Sequence, residues 1–166
     1  MVPGSTVPEK LRYEIDLMKP VPIPALPAGL RIRTVTPADL APLAGLMLDA
    51  YVGTIDYEDE DLDDAIEEVR SFLEDDASLL ERSYLVEDDG EVVSAVLVSM
   101  SQGRPFIGYV MTLPSHKNQG LARLEVAHVL KRLADDGHET VVLYITEGNT
   151  PSERLFRSVG AVQVRT

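Results

Sequence analysis

TLPSHKNQGLARLEVAHVLKRLADDG, Thr112 to Gly137, passes from apolar to polar to helical within a few residues. The run Phe106 to Leu113 reads as a strand, and Pro114, His116, Lys117, Asn118, Gln119 and Gly120 break it. Leu121, Leu124, Ala127, Leu130 and Ala134 then recur on one helical face until Gly137. A strand whose loop feeds a helix N-terminus presents unpaired N–H groups and the positive end of the helix dipole, which together attract an anion. Gly120 lets the backbone approach a ligand closely, Ala122 keeps the first turn narrow, and Lys117 and Arg123 add positive charge. A phosphate-bearing ligand is the expected occupant, against the plainer reading of a β–α connection that happens to hold a glycine. Neither the P-loop pattern nor the three-glycine dinucleotide fingerprint occurs.

Upstream, SYLVE, the turn DDG, EVVSAVLVSM, a loop at SQGRP and FIGYVMTL predict two consecutive hairpins, the first signalled by Asp89-Gly90. Before them, LRIRTV reads as a strand. The helix that follows takes Thr36 as N-cap, Pro37 at its first position and Asp39 in its first turn, with Leu40, Leu43, Met47 and Tyr51 inward. A second helix turns Leu62, Ile66, Val69 and Leu73 inward. Downstream, TVVLYIT is a strand. A short helix follows, with Thr150 as N-cap, Glu153 completing a capping box and Gly160 as its stop, and AVQVR is a last strand. The predicted order is β-α-α-β-β-β-α-β-α-β, an α/β fold with a mixed, mostly antiparallel sheet flanked by helices. Residues 1–29 hold six of the eleven prolines and read as an extended arm, leaving 30–166 as the domain.

A chain of 166 residues with 45% hydrophobic content fits one globular domain. No apolar run is long enough to cross a bilayer and the first twenty residues lack a signal-peptide core, so a cytoplasmic location is expected. With no Cys, and with His116, His128 and His138 scattered, no metal site is expected. The formal charge of -13 argues against nucleic acid and anionic membranes as partners. Its distribution is uneven: Asp56 to Glu91 holds 17 acids against two bases, whereas Arg104 to Thr166 holds 8 bases against 6 acids. The acidic run reads either as a solvated helix face or as an attractor for a cationic substrate.

The stretch Pro114 to Ala122 resembles the acetyl-CoA motif of the GNAT N-acetyltransferases, read here as Lys117-x-x-Gly120-x-Ala122. EGNTPSERLFRSVGA, Glu147 to Ala161, is similar to their later motif, in the family's order. The resemblance covers Leu30 to the C-terminus. It implies transfer of an acetyl group from acetyl-CoA to a primary amine of a small molecule or a protein, and it leaves a homodimer open. On this basis the amides of Lys117, Asn118, Gln119, Gly120, Leu121 and Ala122 would cradle the pyrophosphate, with Arg123 binding the cofactor through its charge. The backbone of Met111, Thr112 and Leu113 would pair with the pantetheine arm, the Leu113 N–H would polarise the thioester carbonyl, and Asn149 would contact the cofactor near its thiol.

The sequence departs from the family pattern twice, and only the second departure bears on chemistry. Lys117 replaces Arg or Gln, and Phe156 stands where many members carry the tyrosine that protonates the leaving thiolate. Tyr144 is the substitute donor and Glu147 a candidate base. Tyr51, Thr54, Asp56 and Glu58, between the first two helices, are the expected amine site. The alternative is a GNAT-like module that holds acyl-CoA without turnover.

Overall fold

The computed structural model describes residues 8–165. Seven strands form one sheet: β1 (Lys10–Asp16), β2 (Leu30–Thr34), β3 (Tyr84–Asp88), β4 (Glu91–Ser101), β5 (Arg104–Thr112), β6 (Thr140–Thr146) and β7 (Val162–Gln163). Their order is β2-β3-β4-β5-β6-β1-β7. Neighbours are antiparallel except β5 and β6. Four helices cover the sheet: α1 (Leu40–Tyr51), α2 (Leu62–Glu74), α3 (Leu121–Asp135) and α4 (Thr150–Ser158). This is the α/β architecture expected, with one strand added at the N-terminus. No helix among the described residues is long and apolar enough to cross a membrane.

The added strand lies in the stretch read as a proline-rich arm. Lys10–Asp16 pairs along its whole length with β6, from Lys10 opposite Thr146 to Asp16 opposite Thr140, and its other edge receives β7. Its cause is written in LRYEID: Tyr13 and Ile15 alternate inward and are buried, while Arg12 and Glu14 point to the other face. The arm is therefore continuous with the domain at this strand; its first seven residues lie outside the described ones.

Strand alternation divides the core in two. Val96, Val98, Ile107, Leu143 and Ile145 pack under α3 and α4, whereas Ala95, Leu97 and Met111 pack under α1 and α2. Helix α2 is rolled relative to expectation: Ala65, Val69 and Phe72 are buried, Ile66 and Leu73 sit at the margin, and Leu62 is 48% exposed. The start of α1 also differs. A 3-10 turn, Pro37–Asp39, precedes it, and Asp39 is buried, gripped by both terminal nitrogens of Arg33 at 2.9 and 2.8 Å. That guanidinium holds the Asp39 carboxyl below its usual range.

One feature opens the site. β5 and β6 pair at only two positions, Phe106 with Val142 and Ile107 with Leu143, and then part. A bulge accompanies the parting, since Leu97 faces Tyr109 and Val98 faces Ile107, leaving Gly108 as the extra residue.

Candidate active site

The loop between β5 and α3 starts with a 3-10 turn, Pro114–His116. His116 anchors it: Nε2 lies 2.8 Å from the Asp88 carboxylate and Nδ1 lies 2.8 Å from the Ser115 hydroxyl. His116 is thus a partly buried clamp between this loop and the β3–β4 turn. Asn118 and Gly120 both take left-handed backbone, at φ 64 and 77°, which turns successive amides towards one side. The first α3 bond is from the Leu124 N–H to the Gly120 carbonyl, at 3.0 Å. Among the described residues, none of the backbone N–H groups of Lys117 through Arg123 has a hydrogen-bond acceptor. A Cβ built on Gly120 meets nothing within 4 Å. Seven open amides, the positive end of a 15-residue helix and the exposed Lys117 and Arg123 side chains therefore fit a polyphosphate.

Beside this loop lies the gap between β5 and β6. The Leu113 N–H donates to the Val93 carbonyl at 2.9 Å, so the donor expected to polarise a thioester is already engaged. By antiparallel alternation, Met111 opposite Ala95 also directs its backbone groups to β4, and Val110 and Thr112 direct theirs to the gap. Of the three backbone positions expected for the pantetheine arm, only Thr112 faces the gap, and Val110 joins it.

On the α1–α2 face, Asp56 ties together elements distant in sequence. Its carboxylate accepts from the Thr146 hydroxyl at the end of β6, at 2.6 Å, and from the Asn149 amide at 3.2 Å. Asn149, rather than Thr150, is the N-cap of α4, accepting from the Ser152 N–H at 3.2 Å. Glu153 pairs with Arg157 instead of completing a box. Tyr51 is near this junction, its phenol kept protonated above the usual range by burial and then by Asp56. Thr54 spends its hydroxyl on the Tyr51 carbonyl at 2.8 Å, closing the turn after α1. Glu58 is exposed and shares a local bond with Glu60.

Tyr144 and Phe156 lie on opposite sides of the sheet. Phe156 is buried at 3% exposure among Leu143, Ile145 and Val159, while Tyr144 is exposed on the other face with its ring centroid 5.9 Å from that of Phe106. Glu147 is exposed, and its N–H donates to the Glu9 carbonyl at 2.7 Å.

Sequence reasoning missed two polar clusters here. The Tyr109 hydroxyl donates to the Glu68 carboxylate, and burial followed by that bond raises its pKa; a tyrosine within an apolar strand gave no sign of a partner on α2. Glu125, on the buried face of α3, accepts from the Ser94 hydroxyl at 2.5 Å, and Ser94 lies 3.0 Å from the Thr112 hydroxyl. An acid inside an apolar helical stripe was the available signal.

The Acetyltransferase (GNAT) family model matches residues 46–161. The structure is similar to a GCN5-related N-acetyltransferase from Sphaerobacter thermophilus, with TM-score 0.75 and 22% identity over 95% of this chain and 49% of that one. The chain thus spans about half the length of that protein. It is also similar to the aminoglycoside N-acetyltransferase AAC(6')-Iy in complex with CoA, with TM-score 0.65 and 19% identity over 86% and 95% of the two chains. The ribosomal-protein-S18-alanine N-acetyltransferase from Escherichia coli gives TM-score 0.64 and 16% identity over 79% and 76%. These identities establish a shared fold. No curated protein matches the chain.

Proposed function

The chain belongs to the GNAT acetyltransferase family, and we propose that it transfers an acetyl group from acetyl-CoA to a primary amine by direct attack. The observation that carries this reading is the row of unengaged amides from Lys117 to Arg123 at the mouth of the β5–β6 gap. They bind the pyrophosphate, and the backbone of Val110 and Thr112 aligns the arm that leads to the thioester. Acetyl-CoA supplies an activated acyl group when bound. Asp56, held by Thr146 and Asn149, orients a cationic amine at the far side of the gap. Glu147 or water takes the amine's proton, because only the neutral amine attacks. With Phe156 lacking a hydroxyl, Tyr144 donates its phenolic proton to the departing thiolate from the acceptor face.

A second reading has support in the same position. Phe156 is enclosed in the core and carries no proton donor, which suits a module that binds acyl-CoA without turning it over. Calorimetric titration with CoA, followed by thiol release against a panel of amines, separates the two. Binding with release supports the transferase, binding without release the module, and absence of binding overturns both.

A further inference from the structure

The acceptor face continues beyond Asp56 into an open groove of about 350 Å³, lined among others by Arg12, Arg104, Phe106, Val142 and Tyr144. These five residues come from three strands but one side of the sheet. Arg12 and Glu14 alternate outward from the buried Tyr13 and Ile15, and Tyr144 and Thr146 alternate outward from Leu143 and Ile145. Arg12 is directly opposite Tyr144, and Thr146, which holds Asp56, is two residues along the same strand.

We propose that the acceptor amine also bears a carboxylate, and that Arg12 and Arg104 bind that carboxylate in this groove while the amine lies towards Asp56. The inference rests on the transferase reading above and adds the substrate class. Charge is the first support. Two guanidiniums share one carboxylate: Arg104 Nη1 is 3.2 Å from Glu14, and Arg12 Nη2 is 3.8 Å from it, beyond hydrogen-bonding range. One positive charge is left over. The second support is an underused guanidinium, since the Arg12 side chain is 25% exposed and makes no hydrogen bond to another side chain among the described residues. A carboxylate is the group a guanidinium binds best. The tilted Phe106 and Tyr144 rings form a wall suited to the methylene body between the two charged ends.

Spacing narrows the class further. Two residues of strand advance about 7 Å, so amine and carboxylate must be several bonds apart. The side-chain amine of a diamino acid meets this, and the α-amine of a free amino acid does not. Lysine and ornithine are accordingly the probes, with cadaverine, putrescine and lysinamide as the partners lacking a free carboxylate.

The test measures thiol release from acetyl-CoA for each pair, with lysine binding to the CoA-saturated protein titrated in parallel. Lysine is expected to exceed cadaverine and lysinamide in kcat/KM by about tenfold or more, as hydrogen bonds to a charged group provide. Arg104→Gln, whose parent side chain is 48% exposed and so carries little folding risk, should bring that ratio close to one, and Arg12→Gln should do the same. If cadaverine or lysinamide serves as well as lysine in wild type, or if both variants keep the preference, the carboxylate site is refuted while the transferase stands. If no thiol is released but lysine binds and Arg104→Gln abolishes that binding, the carboxylate site stands and the transferase reading falls. If lysine neither binds nor reacts, the site is refuted.

Discussion

Gly120 combines two properties that separate in mutants: left-handed backbone, and empty space where a side chain would point. Alanine there introduces the backbone strain of about 1–2 kcal/mol without charge; glutamate adds bulk and a carboxylate among amides facing an anion. Gly120→Ala is therefore expected to weaken CoA moderately, and Gly120→Glu to abolish detectable binding in calorimetry with the fold retained. Unchanged binding by Gly120→Glu would remove the loop from the site. Glu125 supports a prediction of a different kind. It is fully buried, its Oε2 has no partner among the described residues, and burial raises its pKa well above 4.5 despite the Ser94 bond. The folded chain keeps this proton after the unfolded chain has released it. Stability due to this group is thus complete below about pH 4.5 and is lost as pH rises, at up to about 1.4 kcal/mol per pH unit, until the folded carboxyl ionises. Glu125→Gln should match wild type near pH 4 and unfold at higher temperature than wild type at pH 7.5. Equal melting temperatures at pH 7.5 would contradict a protonated Glu125.

At the scale of elements, α4 depends on its cap. Asn149 serves both the Ser152 N–H and the Asp56 carboxylate, so Asn149→Ala should cost about 1 kcal/mol in denaturant unfolding. Asn149→Asp preserves the cap but sets two carboxylates together, and its loss should be larger at pH 8 than at pH 4, where a shared proton relieves the repulsion. A pH-independent loss would show that the Asp56 contact is absent in solution. The elements themselves were largely legible, because hydrophobic period, the Asp89-Gly90 turn and the two family motifs act locally. What escaped was set by tertiary context. LRYEID alternates as a strand should, yet prolines flank it and its partner β6 is far along the chain. The roll of α2 puts Phe72 against the ring of Tyr109, a choice between two apolar faces that helical periodicity leaves open. The site divides likewise. The anion loop was readable from one contiguous stretch, whereas the Leu113 amide's engagement with Val93 and the Arg12–Arg104 groove depend on strand register.

Across the whole molecule, charge is sorted between the two faces of the sheet. Twelve of the 17 acids, those from Asp56 to Asp76, lie in the α1–α2 loop, in α2 and just after it, and the open amides with Lys117 and Arg123 begin α3 on the other side. On the proposed transferase reading, this distribution draws an anionic cofactor and a cationic acceptor to different openings of one gap. Raising ionic strength should lower kcat/KM for a cationic amine more than for a neutral one. Asp56→Asn should raise the acceptor KM several-fold with CoA affinity unchanged, and Glu58→Gln should do little, since Glu58 is exposed and bonded only within its own loop. An acceptor KM indifferent to Asp56→Asn would return the acidic segment to a solvated surface.

The placement of β1 also orders events during synthesis. Lys10–Asp16 leaves the ribosome well before the strand it needs, Thr140–Thr146, and β7 emerges later still. Until then Tyr13 and Ile15 lack the β6 side of their core, and the loop that must close runs from Asp16 to Thr140. Pro20, Pro22, Pro24 and Pro27, directly behind the strand, cannot donate to a sheet and so discourage premature pairing with the hairpins that form meanwhile. The β5–β6 gap is bounded on one side by β6, which β1 keeps from being an edge. The β5–β6 opening therefore acquires its shape only after β1 and β6 have met, long after the β3–β4–β5 hairpins can form.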